Sequence, residues 1–261
     1  MNAIEISYQG KIVRYNTPAN WNELSKQQLL AWAKICLSKT DLNSAKKRAV
    51  QHVCGLRRGI VQRINLGQIL QIADTIGFLG QKNMLNKWVI RSFWRGICKY
   101  HGPADALANL TIAEYRMTEV YYQLFVQTGD KKHLLALVAT LYRPKRKGVI
   151  KDDIRADLTE NGVQIREKRF KKLPGHVVEA ILLNYEGCRN SIISQYAAVF
   201  KPTIHGEAKN KINDLEDIIE ALAGDKFGTF SETEQTNLNR FFRHLAHCIA
   251  RAEEETSKLA S

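Results

Sequence analysis

His244, His247 and Cys248 stand at i, i+3 and i+4 near the end of the sequence, a spacing that brings two or three of them to one side of a helix. Imidazole and thiolate are zinc ligands, but a zinc site needs four donors, or three with an open position, and no CxxC or HExxH accompanies them. A pair of partly buried histidines is the better account. The densest acidic group is Asp152, Asp153 and Asp157. Such carboxylates serve metal-dependent phosphoryl chemistry when a rigid framework makes them converge. Here they lie among lysines and arginines, where charge balance is the simpler reading. No GxxxxGK[ST] loop, GxGxxG turn or GxSxG elbow is present, so neither a phosphate cradle nor a serine nucleophile has a carrier in the sequence. The reading is a non-enzymatic protein with no catalytic, cofactor-binding or metal-binding residues.

The residues with the clearest chemical potential are basic. Lys and Arg number 39 against 26 Asp and Glu, a formal charge of +13, with a pI near 9.5. That excess favours a polyanion or an acidic protein surface as partner. Three clusters stand out: Lys46, Lys47 and Arg48 with Arg57 and Arg58, then Arg143 to Lys147, then Arg166 to Lys172. From the last two, Arg143, Lys145, Arg146, Lys147, Lys168, Arg169, Lys171 and Lys172 are the candidate contacts for a polyanion or an acidic partner. Phe93, Trp94 and Tyr100 alternate with Arg91, Arg95 and Lys99, as in a platform on which bases stack. The competing interpretation places these aromatics in the core with arginines at its rim. No helix-turn-helix is evident.

The elements that must position these residues are mostly helical. Ile4, Ile6 and Tyr8 alternate before Gln9-Gly10, and Ile12, Val13 and Tyr15 follow, which predicts a small N-terminal β-hairpin. Ser25 and Gln28 form a capping box flanked by Leu24 and Leu29, opening a helix with Leu29, Trp32, Ala33 and Cys36 on one face. A second helix opens at Asp41 or Ser44. Asn65 caps a third that buries Leu66, Ile69, Leu70, Ile72, Ala73 and Ile76. The segment 87–100 reads as irregular or extended, because its aromatic and β-branched residues surround Gly96. Thr111 and Glu114 make a second capping box, for a helix whose apolar face is Met117, Val120, Tyr121, Leu124 and Phe125. Gly129 ends it, and Asp130 starts its antiparallel neighbour, with Leu134, Leu137, Val138 and Leu141 on one face and Pro144 as the stop. Pro174 opens a long helix with Gly187 as an irregularity and Pro202 at its end. Asn213 caps a further helix to Gly224, and the last amphipathic helix precedes a polar tail beyond Glu253.

The fold expected is mainly α, a multi-helix bundle with the N-terminal hairpin and room for a short strand pair near 148–170, where GVQIREKRF has strand character. Residues 1–144 form a hairpin-plus-helical domain, 145–172 a basic linker or loop, and 173–261 a helical region that stands alone or packs with the first. The linker holds ten basic and five acidic side chains. Five scattered cysteines, Cys36, Cys54, Cys98, Cys188 and Cys248, suit reduced thiols in the cytoplasm. The N-terminus has no signal-peptide pattern, and the apolar run at Leu134 to Leu141 is far short of the about 20 residues of a membrane span. No membrane partner is expected.

Three blocks carry a resemblance. GKIVRYNTPANWNELSKQQLLAWAKI, GPADALANLTIAEYRMTEVYYQLFVQTGDKKHLLALVATLYRP and LAGDKFGTFSETEQTNLNRFFRHL together resemble proteins of tailed bacteriophages and prophages, especially from Bacteroidota. Those are encoded among virion-morphogenesis genes and are similar to tail-assembly chaperones in their small β element and helical body. The resemblance covers about half the chain and carries no site residues. It implies a chaperone-like assembly or structural protein, working in the host cytoplasm through protein–protein interaction with tail-tube or tape-measure components. Nucleic-acid binding by the basic clusters is the alternative.

Overall fold

The computed structural model describes residues 1–8, 10–148, 153–200, 220 and 227–259. It is mainly α, with ten α-helices among the described residues and two small antiparallel sheets. The chain forms two compact units, residues 1–90 with 173–188, and residues 91–172 with 189–261. The segment 145–172, expected as a linker, lies wholly inside the second.

In the first unit, β1 (Asn2–Tyr8) pairs with β2 (Lys11–Thr17), Ile6 opposite Val13 and Ile4 opposite Tyr15. Gly10 at the tip takes φ of 74°, the left-handed geometry that a two-residue hairpin turn requires. Ile4 and Ile6 point inward and are buried. Helix α1 (Lys26–Cys36) starts at the predicted box, with Ser25 accepting from the Gln28 backbone and Gln28 returning to the Ser25 N–H. Asp41, not Ser44, caps α2 (Leu42–His52). The short α3 (Arg58–Val61) precedes α4 (Leu66–Asp74), which has a full Asn65–Gln68 capping box. Leu66 is exposed rather than buried, because it occupies the first turn on the solvent side.

The long helix α8 (Gly175–Gln195) contributes residues up to Cys188 to this unit. It runs unbroken through Gly187, where an irregularity was expected. The glycine serves a close approach: a Cβ there would sit 2.5 Å from the Leu85 carbonyl oxygen. One turn away, the Asn184 amide accepts from the Val89 N–H (2.8 Å) and donates to the Lys87 carbonyl (2.9 Å), holding an extended stretch against the helix. Trp88 and Leu85 are buried there with Ile181 and Tyr185.

The second unit begins with a hairpin, β3 (Ser92–Arg95) and β4 (Cys98–His101), so the stretch expected as irregular or extended is a strand pair turning at Gly96, φ 58°. Helix α5 (Ile112–Thr128) ends at left-handed Gly129, and Asp130 caps α6 (Lys131–Leu141), as predicted. The α5 face differs from the expected one. Tyr115, Thr118 and Glu119 are buried, while Met117, Val120, Tyr121, Leu124 and Phe125 are half-buried. Glu119 goes inward because Arg189 pairs with it there, and Thr118 because its hydroxyl donates to the Glu114 carbonyl. Leu134, Leu137, Val138 and Leu141 are buried as expected, but so are Ala136, Ala139 and Thr140, so α6 is enclosed on nearly all sides.

Pro144 ends the helical path, and Arg143–Pro144 forms β5 against β4. The strand expected within 148–170 is corrected. Residues Glu160–Phe170 are helix α7, capped by Thr159, with Val163, Arg166 and Phe170 buried at helical spacing. Near 148–170 the strand pairing among the described residues is one isolated bridge, Lys145 to Arg155. Phe170 closes an aromatic cluster with Phe93 (5.3 Å) and Tyr100 (4.9 Å), and Phe93 meets Tyr142 at 4.8 Å. Helices α9 (Phe230–Glu234) and α10 (Leu238–Leu259) complete the unit. Phe241 and Phe242 are buried, and beyond Glu253, in place of the expected polar tail, the helix continues to Leu259. The helix expected from Asn213 to Gly224 falls largely outside the described residues. Among the described residues, no helix is long and apolar enough to cross a membrane.

Candidate functional site

Helix α6 leaves its last carbonyls without intrahelical donors, and its C-terminus carries the negative end of the helix dipole. The sequence places three arginines there. Arg155 Nη1 donates to the Leu141 carbonyl (3.1 Å) and Arg166 Nε to the Ala139 carbonyl (2.7 Å), while Arg143 follows directly on the helix. Arg143 and Arg155 are each 1% exposed and Arg166 is 6% exposed.

Buried guanidinium groups need carboxylates, and two supply them. Glu114 is 7% exposed. Its Oε1 accepts from Arg143 Nη2 at 2.6 Å and its Oε2 from Arg155 Nη2 at 2.9 Å. This corrects the second capping box: Thr111 does accept from the Glu114 backbone (3.3 Å), but the Glu114 side chain turns inward to the arginines. Asp153 grips Arg155 in a fork, Oδ1 accepting from Nε (3.1 Å) and Oδ2 from Nη2 (2.7 Å), and its Oδ1 also accepts from the Arg155 backbone N–H. Ladder-like bonds from Arg146 N to the Ile154 carbonyl and from Ala156 N to the Pro144 carbonyl hold residues 153–156 beside β5.

Burial acts on these charges. It pulls the Arg143 guanidinium below its ordinary value, with Glu114 acting in the opposite direction. Burial also opposes the Asp153 charge, but the Arg155 hydrogen bonds and charge prevail and hold that carboxyl below the usual range. Arg166 is brought down to about 10, by burial first and then by the neighbouring Arg143 charge. Both carboxylates are taken up by guanidinium donors, so this cluster offers no free general base. It works as a clamp joining α5, the end of α6, and residues 153–166.

Arg143 is therefore corrected as a candidate surface contact, since it is enclosed in the clamp. Arg146 is half-buried and pairs with Asp157. Of the acidic trio, Asp153 and Asp157 are thus matched with arginines, and Asp152 falls outside the described residues. His244 Nε2 and Cys248 Sγ lie 3.3 Å apart, with His247 exposed. Among the described residues, no group of three His, Cys, Asp or Glu side chains is placed to hold a metal ion.

Lys145, Lys147, Lys168, Arg169, Lys171 and Lys172 are exposed. Several gather beside the β3–β4 hairpin. Arg95 Nε donates to the Arg169 carbonyl (3.3 Å) and Arg169 Nη1 to the Tyr100 hydroxyl (3.2 Å), which ties the end of α7 to the sheet. Lys145 follows β5 and, with Lys99, acts on His101, whose pKa is lowered by burial first and then by those two lysines. The hairpin also presents apolar surface: Trp94 is 66% exposed and Ile97 is 96% exposed. Lys99 stands opposite Trp94 across the ladder, its Nζ 6.0 Å from the ring centroid.

Of the expected stacking platform, then, Trp94 is free to stack, while Tyr100 is buried and Phe93 half-buried in the aromatic cluster. The cluster at Lys46 to Arg58 belongs to the first unit. Glu114, Arg155 and Arg166 lie too far apart in the sequence to announce themselves as a group. The available signal was an arginine between an enclosed helix and a proline, in Leu-Tyr-Arg-Pro. Comparison with known proteins finds no matching family model, no matching curated protein and no matching solved structure.

Proposed function

We propose that the chain is a non-enzymatic interaction protein that binds other proteins of a tailed phage or prophage during assembly in the host cytoplasm. The observation that carries this reading is the hairpin of the second unit, where Trp94 and Ile97 are held out in solvent and Lys99 stands beside Trp94. Large apolar side chains that are exposed and rimmed by charge mark protein docking sites. The net charge of +13 favours an acidic partner surface, and steering by that charge would speed the encounter. The partner class, a tail-tube or tape-measure component, comes from the resemblance of the three sequence blocks.

Co-expression with tail-tube and tape-measure proteins from the same gene neighbourhood, where it holds them, tests the proposal. A complex should survive size-exclusion chromatography and be lost in the double variant Trp94→Ala, Ile97→Ser. A gene neighbourhood without tail or capsid genes would contradict it. Nucleic-acid binding is a second reading, favoured by the Lys99 ammonium near the open Trp94 ring. It predicts a DNA mobility shift at low salt that falls steeply as salt rises. The docking reading predicts no such shift.

A further inference from the structure

The sheet of the second unit has one covered edge and one open edge. Its order is β3-β4-β5. Beyond β5 the chain returns alongside, with Arg146 N–H donating to the Ile154 carbonyl and Ala156 N–H to the Pro144 carbonyl, both at 2.8 Å. Beyond β3 no strand follows among the described residues. The ladder decides which groups this edge presents. Gly102 N–H donates to the Arg91 carbonyl (2.9 Å), so by the alternation of an antiparallel pair Phe93 and Arg95 also bond across to β4. Ser92 and Trp94, at the alternate positions, turn their N–H and C=O groups outward. No other part of the described chain bonds to them there.

Side chains along the edge alternate as well. Trp94 is exposed on one face, with Lys99 beside it. Arg95 falls on the other face, its Nε on the Arg169 carbonyl. Lys99, Arg95 and Arg169 make no ion pair among the described residues. A strand laid along β3 would therefore set one side chain against the Trp94 ring and the next towards the Arg95 and Arg169 guanidinium groups.

We propose that the hairpin takes its partner by strand addition: an extended segment of the partner protein, alternating apolar and acidic side chains, pairs with the open edge of β3. The proposal rests on the docking role given to the hairpin above and adds the mode and the chemistry of the partner. Main-chain bonds to Ser92 and Trp94 supply affinity, and the alternate side chains supply specificity. A second copy of the same edge is a poor occupant, because it would bring the Arg95 and Lys99 charges of two chains together.

The test uses the full chain and a short capped peptide of alternating valine and glutamate carrying a fluorescent label, with a valine–lysine peptide as control. Fluorescence anisotropy should show binding of the first and not of the second. Ser92→Pro removes an outward N–H and leaves the ladder to β4, Trp94 and Ile97 in place. It should bind about tenfold more weakly, the scale of a lost hydrogen bond, while Ser92→Ala binds as wild type. No binding by wild type, or equal binding by Ser92→Pro, overturns the proposal. If Ser92→Pro does not fold, amide exchange of wild type decides. The Ser92 and Trp94 amides should slow when the peptide is added, and unchanged exchange refutes strand addition. A dimer of the chain alone that Ser92→Pro dissolves would make the occupant a second copy and overturn the proposal too. A tail-protein complex lost in Trp94→Ala, Ile97→Ser but kept in Ser92→Pro would leave docking standing and refute strand addition. Peptide binding that Ser92→Pro weakens, without any tail-protein complex, supports strand addition and contradicts the partner class.

Discussion

Two groups of basic residues in the second unit have opposite roles. Those enclosed at the end of α6 are all arginines: Arg143, Arg155 and Arg166. Those exposed around the hairpin and the end of α7 are mostly lysines: Lys99, Lys145, Lys147, Lys168, Lys171 and Lys172, with Arg91 and Arg169. The difference follows from the two head groups. Guanidinium is planar, weakly hydrated and forked, so it can meet a carboxylate and a helix carbonyl at once inside the protein. Ammonium is strongly hydrated and stays in water unless paired. Two basic clusters that look alike in composition therefore contribute differently, one to cohesion and the other to surface charge.

The largest effect that would break this contrast comes from the shared acid. Glu114→Ala leaves Asp153 as the one carboxylate facing the two buried guanidinium groups of Arg143 and Arg155 and should cost about 3–5 kcal/mol in urea unfolding. An effect near zero would mean that Glu114 is not the hub. Arg155→Lys sharpens the comparison, because it keeps the charge but gives up the fork that holds Asp153, Glu114 and the Leu141 carbonyl. It should cost about 2–3 kcal/mol, the scale of losing charge-assisted hydrogen bonds. Complete tolerance would place the value in charge alone.

The acid limb offers a smaller, graded effect. Asp153 has a depressed folded pKa, so its stabilisation is fully present above its unfolded value of about 3.9. That contribution is lost as pH falls through the lower folded value. Asp153→Asn should therefore flatten the dependence of melting temperature on pH below about 4. An unchanged acid profile would show that the pair does not titrate with folding.

Much of the fold was legible because local signals and tertiary packing agree. The Ser25 and Asn65 capping boxes, the Gly129-Asp130 turn and the Gln9-Gly10 hairpin all lie where side-chain chemistry acts within four residues. The misread parts depend on distant partners. Glu114 has capping-box spacing from Thr111, but arginines 29 and 41 residues away outcompete the helix start for its carboxylate. Helix α7 contains Val163, Ile165 and Phe170, whose types suit a strand. Its buried positions follow a helical period set by packing against α6. Gly187 looks like a helix breaker until Leu85 is placed beside it. The candidate site was partly visible as a set of exposed lysines, and the one local mark that sets Arg143 apart from Lys145 is its place between an enclosed helix and Pro144.

Those two residues give the most direct test. Arg143→Met and Lys145→Met, made separately and compared by urea unfolding, change the same charge two positions apart. The account predicts a loss of about 3–5 kcal/mol for Arg143→Met, which leaves Glu114 and Asp153 a guanidinium short. For Lys145→Met it predicts a change within about 0.5 kcal/mol. Equal effects in the two variants would contradict the division between clamp and surface.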